Sequence, residues 1–123
     1  MTRIDVAELF TRREEAWRRR DPARLTADYL DTAIVLSPIF GQVQGRAAIE
    51  TSYRSLFEIF PDWDLRGEAL IVEDTKVAQH IRVAATHRSE LFGIRGTGKK
   101  IEFEGVLLFQ VNGGQIAYER RIY

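Results

Sequence analysis

The chain contains no cysteine, which excludes a disulfide framework and a thiolate zinc site. Proline is scarce: Pro22, Pro38 and Pro61 are the only three. Net charge is also missing, since Lys plus Arg and Asp plus Glu each number 18. Without a positive surplus there is no electrostatic drive towards nucleic acid. The basic run Arg18-Arg19-Arg20 sits between Glu14-Glu15 and Asp21 and reads as a solvated helix face. No apolar run approaches the roughly 20 residues that a membrane helix needs. Met1-Thr2-Arg3-Ile4-Asp5 lacks the apolar core of a signal peptide. The expectation is a cytoplasmic protein with neither membrane nor nucleic-acid partner.

What is present is an ordinary globular balance, 45% hydrophobic and 29% charged over 123 residues, fitting one domain across 1–123. Val6, Leu9, Phe10, Arg13 and Trp17 recur at helical spacing. Asp21-Pro22 closes that helix and caps a short second one carrying Leu25, Tyr29 and Leu30. Ala33–Leu36 reads as a strand closed by Ser37-Pro38. A third helix follows Gly45, with Ile49, Tyr53, Leu56, Phe57 and Phe60 on its apolar face, and Pro61-Asp62 stops it. From Trp63 the period changes to two. Strands are expected over 65–72, 77–91, 101–111 and 116–123, with Asn112-Gly113-Gly114 as a hairpin turn. Helices followed by antiparallel strands predict an α+β fold: a curved antiparallel sheet, drawn into a cone-shaped barrel, with three N-terminal helices enclosing a pocket.

An ordered set of residues then carries a resemblance. Trp17, Asp21-Pro22, Leu25, Ser37-Pro38, Gly45, Ile49 and Phe60-Pro61-Asp62-Trp63 form one half. Ala85-Thr86-His87-Arg88, Gly93, Thr97-Gly98-Lys99 and Gly114-Gln115-Ile116 with Glu119-Arg120 form the other. Together they resemble the SnoaL-like polyketide cyclases, within the nuclear-transport-factor-2-like fold that also includes ketosteroid isomerases and limonene epoxide hydrolases. The resemblance implies a homodimer that binds a hydrophobic small molecule with no metal and no organic cofactor. It also implies a possible isomerase or cyclase activity.

The family's catalytic groups do not all carry over. The isomerase base, an Asp before Pro, aligns with Ser37, its oxyanion tyrosine near Arg13 and its protonated Asp near Val106. The Asp–Arg–Asp set of the epoxide hydrolases is not recognisable. Cyclase relatives continue past a sequence like Arg121-Ile122-Tyr123 into an acidic residue and a tail, whereas this chain stops at Tyr123.

Two acid/base candidates remain. His87 lies on the apolar face with Ile81, Val83 and Ala85, either as a catalytic imidazole or as a hydrogen-bonded residue ordering its hairpin. Strand parity leaves open whether Glu104, with Glu102, faces water or the cavity; superposing the isomerase pattern points Glu104 inward, where burial would raise its pKa. In the last strand the resemblance points Glu119, Arg121 and Tyr123 into the pocket, while apolar parity favours Tyr118, Arg120 and Ile122. Trp17, Phe40, Tyr53, Phe57 and Trp63 are expected as ligand contacts, Tyr53 and Trp63 adding polar handles. The leading expectation is cofactor-free proton transfer on a hydrophobic carbonyl compound. The alternative is a non-catalytic ligand-binding or dimerisation module.

Overall fold

The computed structural model describes residues 3–123. Met1 and Thr2, part of the N-terminal stretch read above, lie outside them. Helix α1 (Arg3–Arg19) buries Val6, Leu9, Phe10, Arg13, Ala16 and Trp17 along one stripe, so a guanidinium sits in the middle of an apolar face. Helix α2 (Pro22–Ala27) starts as expected, with Asp21 accepting the Arg24 N–H at 3.2 Å and Pro22 in the first turn. It is shorter than expected. Tyr29 and Leu30, whose spacing also suits a helix, belong to strand β1 (Tyr29–Ser37). Long-range partners decide this: Tyr29 pairs with Ile116, and its carbonyl accepts two hydrogen bonds from Arg46 at 2.8 and 3.0 Å.

Ser37 turns the chain by accepting the N–H groups of Ile39 and Phe40, each at 3.1 Å, and a short strand β2 (Gly41–Gln44) follows. Helix α3 (Arg46–Ile59) buries Ile49, Ser52, Tyr53, Leu56 and Ile59. The Asp62 carboxylate then accepts the backbone N–H and the hydroxyl of Thr86, both at 2.7 Å, tying the end of α3 to the sheet.

Strands β3 (Asp64–Glu73), β4 (Lys76–Thr86), β5 (Lys100–Asn112) and β6 (Gln115–Ile122) complete a six-stranded sheet ordered β2-β1-β6-β5-β4-β3. The α+β class holds, with two refinements. The β1–β6 pair is parallel, and the curved sheet leaves β2 and β3 as free edges instead of closing into a barrel. β4 also stops at Thr86, short of Leu91. Leu91 and Ile94 instead close a tight turn around Phe92 and Gly93, at φ 53° and 77°.

One irregularity decides what faces the interior. Gln110 pairs with Tyr118 but Val111 pairs with Ile116, so Ala117 is an extra residue, a bulge in β6. A bulge reverses the alternation beyond it. Ile116 and then Glu119 and Arg121 are buried, while Arg120 and Ile122 are exposed. The helices cover this inner face. None of the described helices is long and apolar enough to cross a membrane.

Candidate functional site

Among the described residues, the charged side chains classed as buried are Arg13, Glu119 and Arg121, at 2%, 0% and 6% exposure. They come from opposite walls, α1 and β6, and are joined by hydroxyls from β1 and α3. Arg121 Nε donates to Glu119 Oε2 at 3.0 Å. The Tyr29 hydroxyl donates to Glu119 Oε1. The hydroxyls of Tyr29 and Tyr53 are 2.9 Å apart, and Arg13 Nη2 donates to Tyr53 at 3.4 Å. A guanidinium only donates and a carboxylate only accepts. The chain therefore has one consistent direction, from Arg13 through Tyr53 and Tyr29 to Glu119, with Arg121 donating from the other side.

Burial pushes the Glu119 carboxyl up, but Arg121 and Arg13 outweigh it and hold the group below the usual carboxylate range. Burial pushes the Tyr29 phenol well above its ordinary value, so Tyr29 stays neutral and donates. Burial also disfavours both charged guanidiniums, yet their neighbours keep Arg13 and Arg121 above the ordinary arginine range. Arg121 further lies over the Tyr53 ring, 4.9 Å from its centroid.

The polar centre continues into aromatic walls. Trp17 meets Tyr53 at 5.4 Å between ring centroids and Phe57 at 6.1 Å. Tyr123 packs on Phe103 at 5.1 Å, Phe103 on Trp63 at 5.9 Å, and Trp63 on Phe60 at 5.4 Å. Phe60 in turn lies 5.9 Å from the His87 ring. His87 Nδ1 contacts Thr97 Oγ1 at 3.3 Å. Five buried nitrogens on this lining make no hydrogen bond: Arg13 Nε, Trp17 Nε1, Trp63 Nε1, His87 Nε2 and Arg121 Nη2. Buried polar atoms are normally satisfied, so such a concentration calls for a reason.

The expected contacts Trp17, Tyr53, Phe57, Trp63, Glu119, Arg121 and Tyr123 thus come together, and His87 ends the aromatic row. Phe40 stands apart in the β1–β2 turn, half-buried against the core. Glu104 is not where the resemblance pointed it. Its carboxylate is on the outer face, exposed, 3.0 Å from Arg82 and 3.3 Å from His80. Outward-facing Glu102 and Glu104 alternate with Phe103 and Gly105 along β5, so Glu104 cannot work inside with His87. The interior is packed in this conformation, Trp63, Tyr29 and Tyr53 being the largest fully buried side chains. A groove of about 500 Å³ opens instead on the outer surface, lined by Asp64, Arg66, Arg82 and Glu104 among others. Arg13 and Tyr29 were not anticipated as site residues. For Arg13 the signal was there, a charge inside an apolar helix stripe; Tyr29 was hidden by its assignment to a helix. No cluster of three or more metal-ligating His, Asp or Glu side chains occurs among the described residues.

The profile of the SnoaL-like polyketide cyclases matches residues 7–123. No curated protein matches the chain. Among solved structures, a candidate SnoaL-like polyketide cyclase from Jannaschia sp. CCS1 superposes with a TM-score of 0.86 at 19% identity, covering 97% of this chain and 85% of that one. A candidate hydroxylase from Streptomyces galilaeus gives 0.84 at 21% identity, covering 98% and 90%. A protein of ketosteroid isomerase-like fold from Catenulispora acidiphila, crystallised with trimethylamine, gives 0.82 at 14% identity, covering 94% and 85%.

Proposed function

The chain belongs to the SnoaL-like polyketide cyclase family, and from that premise we propose that it takes a hydrophobic, oxygen-bearing small molecule between its helices and the inner face of its sheet. The five unpartnered buried nitrogens carry this reading. All can present N–H groups, and each sits among aromatic side chains, so ligand carbonyl or hydroxyl oxygens would supply the acceptors that the protein does not. His87 is the group placed for proton transfer: one nitrogen is tied to Thr97 and the other is turned into the buried lining.

A second reading, binding without turnover, has its own support. Glu119 is already held by Tyr29 and Arg121 and kept ionised by two guanidiniums, which makes it a weak base. Glu104 faces away. The apolar outer face around Ile71 and Leu108 supports a homodimer formed through the sheet.

Trp17 and Trp63 are the only tryptophans and both line the interior, so intrinsic fluorescence reports on entry directly. Titration with the neutral aromatic ketone 1-tetralone should quench or shift the emission, and Trp63→Phe should diminish the response. Exchange of the tetralone α-protons in deuterated water, followed by NMR, separates the two readings. Exchange lost in His87→Gln supports an enzyme; fluorescence change without exchange supports a binder. No fluorescence change would overturn both.

A further inference from the structure

The interior carries more positive charge than it balances. Two guanidiniums face one carboxylate, and the other groups acting on Arg13 and Arg121 are the phenols of Tyr29 and Tyr53, joined at Arg121 by Tyr123. By element, α1 contributes Arg13, β1 Tyr29, α3 Tyr53, and β6 Glu119 and Arg121 followed by Tyr123. Glu119 is the one buried carboxylate among the described residues, leaving a surplus of one positive charge. An unbalanced charge at such depth is costly, far more so than a matched pair. The surplus coincides with unused hydrogen-bonding capacity. Arg121 spends Nε on Glu119 while its Nη2 is buried and unpartnered, and the Nε of Arg13 is likewise unpartnered.

We propose that the interior site takes its ligand as an anion, a hydrophobic molecule whose ionised enol, phenol or carboxyl oxygen sits on Nη2 of Arg121. The inference rests on the binding reading above and narrows it to a class. A neutral ketone oxygen would satisfy the donor but leave the charge; an anionic oxygen does both. The aromatic walls supply the apolar remainder, Tyr53 lying beneath the guanidinium and Tyr123 packing on Phe103. Either ligand would meet a charged donor, but only the anion also offsets the buried surplus charge, so the preference should be large.

The probes are 2-naphthoate and 2-naphthamide, matched in shape and differing in charge at neutral pH. Calorimetric titration of the wild-type chain should show naphthoate binding at least tenfold more tightly. Arg121→Lys keeps the charge opposite Glu119 but loses the free fork nitrogen, and should cut the preference severalfold; Arg121→Gln should abolish it. Circular dichroism checks both variants, and the wild-type ratio stands whether or not Arg121→Gln folds. Equal affinity for the two probes would overturn the anion preference while leaving small-molecule binding intact. A preference unchanged in Arg121→Lys and Arg121→Gln would remove Arg121 as the seat. Failure of both probes to bind would count against this inference and the binding reading together.

Discussion

Glu119 and Arg13 make opposite demands on the fold, although they belong to one hydrogen-bonded chain. Glu119 is the acceptor at which Tyr29 and Arg121 meet. Removing its charge leaves two buried guanidiniums with no counterion, a loss of about 3–5 kcal/mol for breaking a buried pair. Arg13 sits at the donor end, bonded to the Leu25 carbonyl at 3.2 Å and to Tyr53 at 3.4 Å. Its removal strands those acceptors but relieves the surplus charge, and methionine fills the same stem volume against Phe10, Tyr29 and Phe109. Glu119→Gln should therefore lower the unfolding free energy severalfold more than Arg13→Met, which should change it by no more than about 1 kcal/mol. Urea unfolding of the two variants checks the order, and a reversed order would contradict the charge argument. The pH dependence has a definite sign. Because the folded Glu119 pKa is lowered from 4.5, its contribution is present above that ordinary value and is lost as pH falls through the lowered one. Wild-type Tm should fall steeply below pH 4.5, and the Glu119→Gln profile should be flatter over the same window.

At the scale of elements, the facing of the site residues turns on Ala117 being bulged out of the ladder. Were Ala117 held in regular alternation instead of bulged, β6 would continue the parity set by Ile116 and bring Tyr118, Arg120 and Ile122 inside, the arrangement that simple alternation predicts. The bulge turns Glu119 and Arg121 inward instead, opposite Phe109 and Leu107 of β5. Deleting Ala117 should thus close the bulge, because Tyr118 then follows Ile116 directly while Glu119 and Arg121 keep their places opposite Phe109 and Leu107. The expected outcome is a dispersed amide spectrum and cooperative thermal unfolding close to those of the wild type; loss of both would show that the extra residue does more than set the facing of Glu119 and Arg121. The same bulge explains what was legible beforehand. Helical stripes, the Asp21-Pro22 cap and the strands of the second half follow from local periodicity, and they appeared where expected except that β4 ends at Thr86 instead of Leu91. The facing of β6 does not, because a bulge is fixed by the register of β5 and leaves no mark in a chain that alternates on both sides of it. Tyr29 escaped for a related reason: its strand assignment rests on Ile116 and Arg46, 87 and 17 residues away. Glu104 shows the limit of a resemblance, since β5 parity, set by Leu107, Phe109 and Val111 inside, turns every even position of that strand outward.

For the whole molecule, the sheet presents two unlike faces, one packed beneath the helices and one open. The outer face carries a row that crosses strands: Ile71 pairs with Ala78, and Ala78 with Leu108. Ile71 is 69% exposed, and a groove of about 380 Å³ runs along this row towards Tyr118. Charges lie beside it, where Arg82 bridges Glu68 at 3.2 Å and Glu104 at 3.0 Å. An apolar strip flanked by charges suits a self-complementary contact about a two-fold axis, in which the strips cover each other and the charged margins stay wet. Such a contact would be held mainly by burial, so raising salt should not dissolve it. Leu108→Glu should do so, by placing two carboxylates near the axis in a desolvated strip. Sedimentation velocity should then show a wild-type dimer that persists at 1 M salt and a Leu108→Glu monomer with unchanged circular dichroism. A wild-type chain that sediments as a monomer at micromolar concentration would sink the dimer outright. Because Leu108 points away from Arg121, on the other side of the same sheet, the monomeric variant should keep its naphthoate preference. Loss of that preference would mean that the open face and the packed interior are coupled through β5 and β6.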